Sequence, residues 1–119
     1  MVSAIDPQAI EDLRAMNPGD DSFLRELIQI YLEDSPARIV EIEQSLKQGD
    51  SIRLTRAAHS LKGSSSNFGA NQLRALSEQI ERIGRTGVLT EVPALVPEVK
   101  AEFDRVKAAL NALVPPSSI

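Results

Sequence analysis

The sequence predicts an all-α protein, an antiparallel four-helix bundle with a short additional N-terminal helix, and three observations predict it. Apolar residues recur at three- and four-residue steps in nearly every segment. Period-two alternation and hairpin patterns are missing. Aromatic residues make up only 3% of a chain that is 42% hydrophobic and 25% charged, which suits a helical protein with an aliphatic core. At 119 residues the chain is expected to form one domain, residues 1–119, with 115–119 as a flexible tail.

The first helix is expected around "DPQAIEDLRAM", with Asp6 as N-cap, Pro7 at the first helical position and "NPGD" ending it. The second begins near Asp20 and carries Leu24, Leu27, Ile28 and Tyr31. Ile39, Ile42 and Leu46 continue its stripe beyond Pro36, which is expected to kink or restart the helix. The third runs from about Ser51 to Gly69, with Leu54, Ala58, Leu61, Ser65 and Phe68 at steps of four and three. The fourth sets Leu73, Leu76, Ile80 and Ile83 on one face, with Gly84 and Gly87 as stop signals. The last carries Val92, Leu95, Val99, Phe103, Val106, Leu110 and Leu113, and Pro93 and Pro97 predict a kink or a late start. Long amphipathic helices joined by short loops bury such seams most simply as an antiparallel four-helix bundle, with the short first helix capping one side.

Composition excludes several classes of function. The formal charge of −4 without a dominant basic stripe argues against nucleic acid as a partner. The absence of cysteine removes disulfide and thiolate chemistry and fits a reducing compartment. Apolar runs of only a few residues, and an N-terminus without a basic region followed by an apolar one, predict neither a transmembrane span nor a secretory signal.

The stretch "RAAHSLKGSSSNFGA" holds the only histidine, His59, and Gly63 follows one helical turn later. Glycine inside a helix costs about 1 kcal/mol relative to alanine, so its presence there needs a reason. With the core stripe fixing the rotation of the third helix, His59 lies about 160° from Leu61 and points away from the core. Arg56, Lys62, Gly63 and Ser66 surround it at −3, +3, +4 and +7, a face with an imidazole, two cations, a gap and a hydroxyl. No acid lies on that face of the helix. Between Asp50 and Glu78 there is no Asp or Glu, while Arg53, Arg56, Lys62 and Arg74 fall inside. Such a locally basic region attracts a phosphoryl group or an acidic partner pocket, and a solvated face with chance charge segregation is the plain alternative.

Metal binding fits poorly, because zinc would need carboxylates in place of a second His and every Cys, and no H-E-x-x-H spacing exists. Serines surround His59, but no G-x-S-x-G turn accompanies them to suggest a hydrolase. "KGSSS" lacks the spaced glycine of a phosphate loop. What survives is histidine as a nucleophile, with a cation one turn away and open space beside the ring, and phosphate is its natural electrophile.

At these residues "AHSLKGSSSNFGANQL" resembles the signature of histidine-containing phosphotransfer domains, the carriers of multistep two-component phosphorelays. "GDDSFLRELIQIYLEDSPARIVEIEQSL" upstream and "L..LSEQIERIGR.G" downstream fall where these domains place their flanking helices, so the similarity covers nearly the whole chain. The resemblance implies a four-helix bundle with His59 as an exposed phosphoacceptor. It implies that Lys62 contacts or neutralises the phosphoryl oxygens and that Gly63 leaves the approach open. Arg56, Ser60, Ser66, Glu81 and Arg85 are the candidate binding residues around them. Some relatives place a glutamine at the position matching Glu81, where it hydrogen-bonds the imidazole. A carboxylate there would accept Nδ1–H and fix the tautomer that exposes Nε2. The alternative is an exposed Glu81 paired with Arg85 at i+4.

The function implied is that of a carrier that takes a phosphoryl group from one receiver-domain aspartate and passes it to another. No cofactor of its own is implied, Mg²⁺ being expected on the partner receiver. The expected partners are response-regulator receiver domains and a hybrid histidine kinase, with no nucleic acid and no membrane contact, and the expected state is a cytoplasmic monomer. One rival is the phosphoacceptor domain of a chemotaxis-type kinase, which shares an H-x-[IL]-K-G core. Another is a helical interaction module whose His59 is chemically idle. A sensor kinase's dimerisation helix fits less well, since those usually follow the histidine with an acidic residue and here Ser60 follows.

Overall fold

The computed structural model describes residues 3–113, which form five α-helices: α1 (Pro7–Ala15), α2 (Ser22–Gln48), α3 (Ser51–Ser66), α4 (Asn71–Thr86) and α5 (Val92–Leu113). No strand occurs among the described residues, and the tail expected at 115–119 lies outside them. Helix α3 packs against α2 and α4, α5 closes the ring against α4 and α2, and α1 lies against α2. This is the predicted four-helix bundle with its added N-terminal helix.

Local chemistry sets the helix ends. Asp6 caps α1 by accepting the Gln8 N–H at 2.9 Å, and Pro7 stands where its missing N–H leaves no bond unmade. Gly49 ends α2 in the left-handed conformation at φ 68°, and the Asp50 N–H reaches back to the Ser45 carbonyl at 2.9 Å. Asp50 then caps α3 by accepting the Arg53 N–H at 3.0 Å. A turn of two residues thus ends one helix and starts the next, which forces α2 and α3 antiparallel. At the other end of α3, Gly69 turns the chain toward α4 with φ 63°, and its backbone abuts Asp6 and Ala9, so α1 seats beside this turn.

The α3 seam is buried as read, from Leu54 and Ala58 through Leu61, Ser65 and Phe68. Ser65 survives inside because its Oγ shares a 2.8 Å hydrogen bond with the Tyr31 hydroxyl. The Tyr31 ring lies 4.9 Å from that of Phe68 and 6.1 Å from that of Phe103, so one aromatic cluster ties α2, the α3–α4 turn and α5 together.

Of the kink or restart expected at Pro36, the continuous helix α2 excludes the restart, and of the kink or late start expected at Pro93 and Pro97, α5 excludes the late start by beginning at Val92, ahead of both prolines. Pro93 falls in the first turn, where helix N–H groups have no intrahelical partner to lose. Gly84 is not a stop signal but a buried residue inside α4, which ends at Gly87 with φ 79°. Leu113, assigned to the α5 seam, is exposed at the helix end.

Gly84 is small because α3 passes against it. A Cβ built there would collide with Thr55 Oγ1 and lie 3.0 Å from Leu54 Cδ2, and Thr55 Oγ1 is held in place by its 2.6 Å bond to the Ser51 carbonyl. At Gly63 an added Cβ meets nothing within 4 Å. Gly84→Ala is therefore expected to lower stability by about 1–3 kcal/mol through overpacking. Gly63→Ala should raise it by up to about 1 kcal/mol through helix propensity. Urea denaturation of the two variants checks the opposite signs.

Candidate functional site

His59 projects from the middle of α3 with 65% of its side chain exposed, as its position on the helical wheel requires. Across the groove, α4 runs antiparallel and presents Glu81, whose side chain is only 1% exposed. His59 Nδ1 lies 2.6 Å from Glu81 Oε2. Arg85, one turn along α4, donates Nη2–H to the same oxygen at 2.8 Å. Lys62, one turn along α3, sets its Nζ 2.7 Å from Oε1. One buried carboxylate therefore gathers three nitrogen donors from two helices.

That count explains how a carboxylate remains in the interior. An unpaired buried charge costs several kcal/mol, roughly, whereas a paired and hydrogen-bonded one is tolerated. Burial pushes the Glu81 carboxyl up, but the contacts from Lys62 and His59 and the positive charges of Lys62 and Arg85 outweigh it and hold the group below its ordinary value. Glu81 is then ionised at neutral pH and can only accept, so Nδ1 carries the hydrogen and donates. In the neutral ring this leaves the Nε2 lone pair as the free nucleophile on the solvent side.

Both readings of Glu81 meet here: it binds the imidazole and it also pairs with Arg85, but it is buried rather than exposed. Lys62 stands half-buried on Glu81 rather than extended into solvent. Gly63 leaves open space beside the ring. Ser66 turns its hydroxyl inward to the Lys62 carbonyl at 2.9 Å, and Ser60 is exposed with its carbonyl accepting from Ser64 Oγ at 3.1 Å, so neither side chain joins the cluster. The locally basic region is narrower than the sequence suggests. Arg53 pairs with Glu41 at 3.4 Å and Arg74 with Glu78 at 3.6 Å, which leaves Arg56 as an exposed cation on this face without an ion pair among the described residues.

The sequence reading set Glu81 of α4 beside His59 but not its depth, which only the helix register shows. One feature escaped it altogether. Ile52 stands seven residues before His59, about 20° from it around the helix, and is 67% exposed. The helical wheel alone could have singled it out. Among the described residues no group of three or more His, Cys, Asp or Glu could hold a metal ion, and no helix is long and apolar enough to cross a membrane.

The site can be set against known proteins. The family model described as the Hpt domain matches residues 26–109. Histidine-containing phosphotransfer protein 4 of Arabidopsis thaliana is 30% identical over 89 residues, covering 73% of this chain and 70% of that protein. Multistep phosphorelay regulator 1 of Schizosaccharomyces pombe is 25% identical over 114 residues, and the chain, 92% of which is covered, spans only 37% of that protein's length. Among solved structures, histidine-containing phosphotransfer protein B of Pseudomonas aeruginosa PAO1 superposes with a TM-score of 0.86 at 28% identity, covering 94% of this chain and 95% of that one.

The depressed Glu81 acidity has a direction that can be measured. Because the folded value lies below the unfolded one, the stabilisation is complete above the ordinary carboxylate value of about 4.3 and is lost as pH falls through the lower folded value. Relative to Glu81→Gln, the wild type is expected to lose stability on acidification below about pH 5. Urea melts of both proteins at a series of pH values check this: a stability difference constant from neutral pH to pH 3, roughly, would contradict it.

Proposed function

The chain belongs to the Hpt domain family, and we propose from that premise that it is a histidine phosphotransfer carrier whose phosphoacceptor is Nε2 of His59. The observation that carries the reading is the exposed ring anchored by Nδ1 to a buried, ionised Glu81. The donor proposed is a receiver-domain aspartyl phosphate, and the acceptor is the aspartate of a second receiver.

The chemistry balances without moving a proton. The Nε2 lone pair attacks phosphorus in line, the Nε2–P bond forms, and the P–O bond to the donor aspartate breaks with its electrons leaving on the carboxylate. Nδ1 keeps its hydrogen throughout, and the positive charge the ring gains on bonding phosphorus is met by Glu81 2.6 Å away. Transfer onward reverses these steps. Glu81 is then a positioning residue that fixes which nitrogen reacts, and Arg85 and Lys62 hold its carboxylate in place. Lys62 also stands one turn from the ring, where its charge favours the arriving phosphoryl group. The remaining compensation, Mg²⁺ included, is assigned to the partner. Gly63 keeps the approach to Nε2 open, since a longer residue at this position would stand over the ring.

His59→Gln is the first test, chosen because its amide N–H can still donate to Glu81. It is expected to abolish label uptake from a phosphorylated receiver while changing stability by about 1 kcal/mol or less. Label that persists in this variant, or label in the wild type that resists mild acid, would exclude the assignment. Gly63→Gln separates access from folding: it should melt above the wild type, since glycine is the poorer helix former, while transferring at a small fraction of the wild-type rate. Transfer at the original rate would remove the steric role.

A further inference from the structure

Glu81 and His59 together make up the lower part of a hydrolase relay. A buried carboxylate accepts from Nδ1 at 2.6 Å, and the ring it holds stands mostly in solvent with the Nε2 lone pair free. In such a relay the third member is a hydroxyl over Nε2. The two nearest serines do not fill that place: Ser66 donates its hydroxyl to the Lys62 carbonyl at 2.9 Å, and Ser60 lies about 100° away around α3. With no hydroxyl to activate, the ring is itself the nucleophile.

Phosphorus is one electrophile that such a lone pair attacks, and an acyl carbon is another. Three features suit the second. A Cβ added at Gly63 meets nothing within 4 Å, so a small acyl group has room beside the ring. Lys62, whose Nζ lies 2.7 Å from Glu81 Oε1, brings a positive charge to within one turn of His59, where it favours an oxyanion. Glu81 meets the charge that the ring gains when Nε2 bonds carbon. The same geometry limits the substrate. With Nδ1–H bound to Glu81 and Nε2 used as the nucleophile, the ring has no proton to give a departing amine or alkoxide.

We propose that the chain has a second activity, hydrolysis of small esters with a good leaving group, such as aryl esters, through an acyl group carried on Nε2 of His59. The activity goes beyond the carrier function and does not depend on it. In the first step the Nε2 lone pair attacks the carbonyl carbon, the N–C bond forms, and the carbonyl electrons move to oxygen. The oxyanion collapses, the C–O bond to the leaving group breaks, and the aryloxide departs with that electron pair. In the second step water attacks the acyl carbon and releases its proton to solvent. The N–C bond then breaks, its electrons return to Nε2, and a carboxylate leaves. Nδ1 keeps its hydrogen throughout, so Glu81 acts as a positioning residue that fixes the reactive nitrogen and offsets the acylimidazolium charge. Because the ring is 65% exposed and encloses little of the ester, turnover should rise in proportion to ester concentration.

The test follows release of p-nitrophenolate from p-nitrophenyl acetate by the full chain at neutral pH, beside free imidazole at equal concentration. The composition suits it, because His59 is the only histidine and there is no cysteine. The four lysines form stable amides with the acetyl group, so each releases at most one equivalent and does not turn over. The wild type is expected to turn over many equivalents, at a rate per histidine at least about tenfold above imidazole. His59→Gln, shown by thermal melts to be folded, should release only the amine equivalents. Glu81→Gln should turn over about tenfold more slowly or worse, and ¹⁵N spectra of the ring should change from the single Nδ1–H tautomer of the wild type to a mixture. p-Nitroacetanilide, the matching amide, should not be cleaved. A wild-type rate no better than imidazole, or continued turnover in His59→Gln, would overturn the proposal. So would Glu81→Gln at the wild-type rate, or cleavage of the amide. Because no receiver enters the assay, its failure leaves the carrier function standing, and a chain that hydrolyses the ester but takes no phosphoryl label would lose the carrier function alone.

Discussion

A buried carboxylate that must be shared is the constraint around which this site is built. Glu81 can stay ionised inside the α3–α4 groove only while donors reach both of its oxygens, and those donors come from both helices. The requirement fixes the register. Glu81 lies opposite His59, and one turn along α4 Gly84 lies opposite Thr55, the spacing of two antiparallel helices in step. Absence of a side chain at Gly84 lets the backbones approach closely enough for the ring and the carboxylate to meet at 2.6 Å. Packing at one level of the groove thereby sets chemistry at the next.

Helix α3 carries two faces with opposite duties. Its inner side is aliphatic, closed by the Tyr31–Ser65 bond and the aromatic cluster around it, and gives the helix a fixed rotation. With the rotation fixed, His59 has no choice but to face outward. The capped two-residue turn at Gly49 and Asp50 fixes the height of α3 against α2. Position of the nucleophile is therefore a consequence of the core rather than of contacts made by the ring alone, which is why a site so exposed can still be ordered.

Much of this was legible in the sequence because helical period reports what lies within one helix. The seams of α2 to α5, the Asp6 cap with Pro7, the outward direction of His59 and the gap at Gly63 all follow from counting along one chain segment. What was not legible depends on neighbours. Gly84 and Gly63 look alike as glycines in helices, yet one is pressed against Thr55 and the other faces open space. Glu81 reads either as a partner of the imidazole or as an exposed acid paired with Arg85, and only the α4 register shows that it makes both contacts from a buried position. Arg53 and Arg74 count as basic patch in the sequence and are neutralised by Glu41 and Glu78 in the fold. The restart at Pro36 and the late start at Pro93 and Pro97, two of the alternatives the prolines offered, do not occur, because tertiary packing carries α2 and α5 through those positions.

The open position at Gly63 bears on how this protein could be engineered or could drift. Nothing in the fold resists filling it, and helix propensity rewards doing so. A campaign that ranks variants by heat resistance or expression yield would favour replacements there and would register each as an improvement. Under the carrier function such a library would grow more robust and fall silent as a signalling component, with no warning from any assay of folding. Only a screen that reads turnover through a partner would keep that position empty.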